Sequence, residues 1–264
     1  MSAQTSSENR PAGFSPPPPA GPFADGDLAA SDQKIDRDDA GRVVARYTLH
    51  EGVLNGPATF FDGEGRLTQR CVFVGGHLDG MLEAWAAGQL SQRAHFRGGQ
   101  LDGPTTLFDG AGRPAQQIAF RAGKRHGETL IWNKGKLQAR MRFAEDLQEG
   151  LFETFDEVER PAVKATFRGG LQHGEAVHFD AAGRVVAKVP FKDGRVEGRR
   201  LDYYDNGKLR EESEFRQDLL DGELLRYDRE GRLRERLQFR AGVQVGDKAT
   251  YDERGRLIVR RASH

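Results

Sequence analysis

The sequence predicts an all-β fold, an elongated antiparallel β-hairpin repeat array of about nine units, each 23–24 residues long. Three observations predict it. Gly41, Gly65, Gly88, Gly112, Gly135, Gly183, Gly207, Gly231 and Gly255 recur at that spacing, with Glu159 in the slot between 135 and 183. Fifteen residues after each opening position stands a second glycine: Gly56, Gly80, Gly103, Gly127, Gly150, Gly174, Gly198, Gly222 and Gly246. Two further slots in each period hold aromatic residues. Self-similarity at a period of 20–50 residues marks a repeat architecture. The composition agrees. With 33 glycines in 264 residues, 37% hydrophobic and 30% charged residues, the chain suits short strands and turns around a thin core.

Residues 1–40 are read as a disordered, Pro-rich, acidic leader, and 41–264 as the repeat domain. FSPPPPAGPF (14–23) is followed by Asp25, Asp27, Asp32, Asp36, Asp38 and Asp39. Such a segment buries too little apolar surface to fold alone. It reads as a solvated tail or as a ligand for a proline-reading domain. Its end, Gln33 to Arg37, reads as an edge strand. No charged-then-apolar start suggests a secretory signal, and no apolar run approaches the ~18 residues of a membrane span. The expected location is the cytoplasm. The single cysteine, Cys71, excludes an internal disulfide framework.

From Gly41 each unit follows one grammar. The opening residue precedes a base: Arg42, Arg66, Arg113, Lys136, Arg160, Arg184, Lys208, Arg232 and Arg256, with Gln89 departing. Eight residues after the opening comes an aromatic: Phe73, Phe96, Phe120, Phe143, Phe167, Phe191, Phe215 and Phe239, with Leu49 in the first unit. Five residues after the second glycine comes another: Phe61, Trp85, Phe108, Trp132, Phe155, Phe179, Tyr203, Tyr227 and Tyr251. An acid usually follows it, as in Asp62, Asp109 and Asp228.

Asp-x-x-Gly is a tight turn, because Asp accepts from local amides and Gly adopts positive φ. Between an aromatic and Arg-Leu it reads as a hairpin. Each unit is then two antiparallel strands, and the array is a meander about 18 strands wide. At ~4.8 Å per strand it would run roughly 85 Å. Residues two, six and eight after the opening share one parity and are expected to line one apolar face, with the opposite face in water. The last unit, GRLIVRRASH, places Arg261 where others are apolar and reads as a cap.

The aromatic-Asp-x-x-Gly-Lys/Arg-Leu turn, then Phe-x-x-Gly, then x-x-x-Gly resembles the MORN-variant repeat. YYDNGKLREESEFRQDLLDGE (203–223) carries the closest likeness. Arrays of this kind look like the bacterial YwqK-type antitoxin family. The resemblance implies a MORN-like array that binds another protein and serves as an immunity protein or antitoxin. The true MORN motif's Tyr-x-Gly-x-Trp core is absent. YDREGRL (227–233) and YDERGRL (251–257) also resemble the YD repeat of secreted toxin shells, although the second glycine suits the MORN variant better.

Candidate chemistry is sparse. The chain has no phosphate-cradling loop in strand-to-helix context, no G-x-S-x-G elbow and no H-E-x-x-H, so no enzyme and no cofactor is expected. His126 and His173 sit just before second glycines, in a polar column with Asn55, Asp79, Asp102, Glu149, Glu197 and Asp221. At two units apart they stand about 19 Å from each other, too far to share a metal, and no metal is expected. The strongest constellation is a stripe five residues after each opening: Arg46, Arg70, Arg93, Gln117, Arg140, Lys164, Lys188, Glu212, Arg236 and Arg260. Its residues grip an acidic partner, or they solvate an open face beside cross-strand acids. Glu212 inverts the stripe and is a candidate specificity position. Equal counts of acids and bases, 40 each, argue against nucleic acid. Three function readings follow: an immunity protein that occludes a toxin or secreted effector, a scaffold or adaptor for a secretion or envelope complex, and a lipid binder.

Overall fold

The computed structural model describes residues 33–261. The Pro-rich part of the expected leader, residues 1–32, lies outside the described residues. So does the end of the expected cap. The described residues form 25 strands in one antiparallel sheet topology, with turns and no helix. Gln33–Arg37 is a strand, paired on Val43–His50. Each repeat then adds a hairpin, as the glycine period predicts. In the first, Val43–His50 pairs with Val53–Phe61, which pairs with Leu67–Val74 of the next repeat.

Two kinds of turn alternate. Within each repeat the strands join through two residues that both have positive φ, as at Gly75–Gly76 (φ 56 and 83) and Ala122–Gly123 (47 and 80). This is the type I′ hairpin, whose twist matches that of the strands. Between repeats the Asp-x-x-Gly turn applies. Asp62 shows its build. Its Oδ1 accepts from the amides of Glu64 and Arg66, both at 2.9 Å, and its Oδ2 from Arg66 Nε at 2.8 Å. The Arg66 guanidinium and amide hold the Asp62 carboxyl below its ordinary value. The same cage recurs at Asp109–Arg113, Asp156–Arg160, Asp180–Arg184 and Asp252–Arg256. The two 23-residue spacings have a local cause. After Trp85 and Trp132 the cage is replaced by a two-residue turn, Ala87–Gly88 (φ 49 and 79) or Lys134–Gly135 (51 and 84).

Second glycines are a backbone requirement. Gly222 has φ 147, and a Cβ there would lie 2.6 Å from Glu214 Cβ. Just before these glycines, five strands are interrupted by one residue, at Asp79, Asp102, Glu149, His173 and Glu197.

Compactness divides the described strands into two parts. One runs to Lys124 and includes Ile131–Leu137; the other holds Arg125–Leu130 and the strands from Gln138 onward. In the first, Ala58, Cys71 and Leu82 are buried beneath Tyr47, Phe60, Phe73, Ala84 and Phe96. In the second, Ala165, Ala176 and Val189 are buried with Phe152, Phe167 and Phe191. Phe152 and Phe167 meet edge to face at 5.8 Å. Small residues sit mid-strand because a single sheet layer has only neighbouring rings to cover them.

One expectation fails. Residues two after the opening do not share a face with those at six and eight. Phe60 pairs with Gln69, but Phe61 pairs with Leu67, so one residue of the second strand is extra. The same shift recurs at Thr154/Phe155, Asp202/Tyr203 and Arg226/Tyr227. A bulge breaks the period of two. Leu67 and its equivalents therefore join the stripe residues, and the second aromatic column joins them. The two aromatic columns thus lie on opposite faces, Phe73 with Cys71 and Phe61 with Arg46.

Candidate functional site

In each part the stripe face is built from three columns. The first holds the stripe residues. The second holds the aromatics after the second glycine. The third holds the register partners of the stripe. Arg46 lies over the Phe61 ring at 5.9 Å, and Arg70 over Trp85 at 5.7 Å. Lys188 and Tyr203 line one surface pocket with Val185.

Most stripe charges already have partners. Arg70 and Arg93 are both register partners of Glu83. Glu83 is 2% exposed. It accepts from Arg70 Nη2 at 2.5 Å and from Arg93 Nε at 3.0 Å. Burial pushes its carboxyl up, but the two guanidinium donors outweigh that and hold it below the ordinary value. Arg140 and Lys164 flank Glu153 in the same way, at 3.8 and 3.3 Å. Farther along, the direct register partners become apolar: Val177, Leu201 and Leu225. The acid moves to the diagonal position. Lys188 pairs with Glu175 at 3.3 Å, and Arg236 pairs with Glu223.

Glu212 is explained by that diagonal. Its partner, at 3.0 Å, is Arg199. Arg199 occupies the slot that Glu175 and Glu223 hold one repeat to either side. The pair is reversed as a unit, so the local charge balance is kept. Among the stripe bases whose side chains are described, Arg46 alone has no carboxylate partner among the described residues. Gln117 pairs in register with Thr106, and Arg260 with Ala249.

The polar column before the second glycine clamps one repeat to the next. Asn55, Asp79, Glu149 and Glu197 accept from the amides of Gly75, Gly98, Gly169 and Gln217, at 2.7–3.2 Å. Those amides belong to the following type I′ turn. His126 and His173 instead approach the acids Glu145 and Asp193, at the first position of that turn, at 3.4 and 3.6 Å. Among the described residues no cluster of three or more His, Cys, Asp or Glu could hold a metal.

YYDNGKLREESEF (203–215) departs from the cage. Tyr204 stands where Asp stands elsewhere, and its hydroxyl donates to the Tyr227 carbonyl at 2.7 Å. Arg229 lies over the Tyr204 ring at 5.3 Å and pairs with Asp205 at 2.5 Å. The turn has exchanged a self-contained cage for bonds to the next turn.

Sequence reasoning located the stripe but missed its companions. Glu83 and Glu153 carry no periodic signal, because their column holds Thr59, Thr106 and Val177 elsewhere. The second aromatic column was visible, but its face relative to the next repeat's stripe depends on the bulge.

These features define a β-hairpin repeat protein with a patterned open face. The model of the MORN repeat variant matches residues 196–217. The chain thus carries a MORN-variant repeat, and such a repeat suggests a protein-binding role. No curated protein matches the sequence. A solved structure titled "Crystal Structure of TcdB2-TccC3-Cdc42" aligns at 13% identity and a TM-score of 0.17. The match covers 82% of this chain and 16% of that one.

Proposed function

We propose that this chain is a non-enzymatic, protein-binding repeat protein that holds one protein partner on its stripe face. The partner is a toxin or secreted effector, neutralised in the cytoplasm by covering its active cleft. The observation that carries the reading is the alternation of Arg or Lys with half-buried Phe, Trp and Tyr along one face of each part. Arginine and aromatic residues supply most binding hot spots. The hydrogen bonds that clamp neighbouring repeats within each part preorganise this face, which lowers the ordering cost of binding. Because most bases are matched by acids of the same face, the partner is selected by its local pattern of charge rather than by net charge.

The test is affinity capture of the tagged chain from its native cells, followed by an activity assay on the recovered partner. A stoichiometric partner with hydrolase or nuclease activity, inhibited by the wild-type chain and less by Arg236→Glu, supports the reading. Capture of a secretion or envelope assembly, with no inhibited activity, replaces it with the scaffold reading.

A further inference from the structure

We propose that the first repeat carries a docking site for the chain's own Pro-rich, acidic segment, residues 14–27. An open pocket of about 550 Å³ lies on the stripe face there, lined by Arg42, Val43, Arg46, Phe61 and Glu64. The charges at its rim are largely committed. Arg42 pairs with Asp38 at 2.8 Å, and Glu64 with Arg66 at 2.6 Å. Arg46 is exposed, lies against the Phe61 ring, and has no carboxylate partner among the described residues. The pocket thus offers an aromatic ring beside one uncompensated guanidinium. An apolar, proline-bearing segment followed by acids is its chemical complement. FSPPPPAGPFADGD (14–27) has that composition, with Asp25 and Asp27 after the prolines.

Spacing supports the match. Phe61, Trp85 and Phe108 follow one another at two-strand intervals, about 9.6 Å. A polyproline II segment advances ~3.1 Å per residue with three residues per turn, so every third side chain recurs on one side about 9.3 Å apart. Pro16, Pro19 and Pro22 have that spacing. Aromatic-lined grooves are the usual seat of such segments.

The connection is long enough. Gln33 begins the edge strand opposite Thr48, and Ile35 stands opposite Arg46, so the chain enters the sheet beside the pocket. The ten residues from Phe23 to Gln33 span up to about 33 Å. Occupancy in cis would cover the start of the stripe face and compete with an external partner there. The proposal goes beyond the partner-binding reading and does not need it.

The test uses the full chain carrying Ala24→Cys, next to Asp25, labelled with a nitroxide and observed by amide NMR. Labelling is selective because Cys71 is 0% exposed and burial raises its thiol pKa to about 11. The expected result is selective loss of amide signals at 43–46 and 61–65 at every protein concentration. Arg46→Glu restores those signals, and Arg46→Glu with Asp25→Lys and Asp27→Lys loses them again. Unchanged signals, or uniform broadening across the chain, overturn the proposal. Loss that appears only when labelled chain is mixed with isotope-enriched unlabelled chain assigns the segment to a second copy and overturns docking in cis. Signals that stay lost in Arg46→Glu overturn the assigned charge contact. None of these outcomes depends on finding an external partner.

Discussion

Replacing Glu83 with Gln tests whether the stripe is a set of matched charges. Glu83 is 2% exposed, while the Arg70 and Arg93 side chains are 34% and 20% exposed. The variant keeps the shape and removes the charge, leaving two guanidinium groups side by side. Breaking a fully buried ion pair costs about 3–5 kcal/mol. Solvent reaches both arginines here, so the expected loss is smaller, about 2–3 kcal/mol. Urea denaturation followed by fluorescence of Trp85, in a Trp132→Phe background, reads the repeat that contains the pair. The sign with pH follows from the depressed carboxyl of folded Glu83. Its stabilisation is fully present above the unfolded carboxylate value, about 4.3. It is lost as pH falls through the lower folded value. The gap between wild type and Glu83→Gln should therefore be constant above about pH 6 and close progressively below the unfolded value. A gap under about 0.5 kcal/mol at pH 7, within the range of ordinary surface substitutions, would refute the reasoning. So would a gap that does not change with acidification.

Three further outcomes are expected. Glu212→Lys places like charges against Arg199 and should cost about 0.5–1 kcal/mol, recovered in the double variant with Arg199→Glu, as a double-mutant cycle would read. Gly222→Ala should lower the denaturation midpoint more than Gly150→Ala. Both positions have positive φ, but the new Cβ meets Glu214 only at 222 and nothing within 4 Å at 150; equal midpoints would show that the clash is relieved freely. Burial opposes ionisation of Asp228, but the amide and guanidinium of Arg232 and the charge of Arg234 outweigh it, and its pKa is lowered to about 2. Its contribution to stability is thus present above the usual carboxylate value and lost as pH falls through about 2, which carboxyl-carbon NMR titration would show as a midpoint well below the ordinary aspartate value.

The repeat was legible because its signals are local. Asp62, Gly65 and Arg66 form their cage within five residues, and paired positive-φ residues mark each type I′ turn, so periodicity alone places every hairpin. The shorter spacings before Gly88 and Gly135 were visible, but only the structure shows that two-residue turns cause them. The face of each residue was not legible. Strand parity places residues on faces only where the strand is regular, and Thr68 is the extra residue of a bulge. The function of the polar column was equally hidden, since Asp79 spends its carboxylate on the amide of Gly98, nineteen residues away.

The sequence by itself determined an all-β hairpin array, its period, its turns and the positions that demand glycine, because each rests on backbone conformations fixed within a few residues. Only the tertiary structure decided which columns share a face and which charges are matched. Those depend on strand register: hairpin pairing sets Phe61 beside Arg46, and one bulged residue per repeat brings Leu67 onto that face and Arg93 opposite Glu83. The exchange of Glu212 with Arg199 has the same cause: thirteen residues separate them in the chain, and the antiparallel ladder alone makes them neighbours.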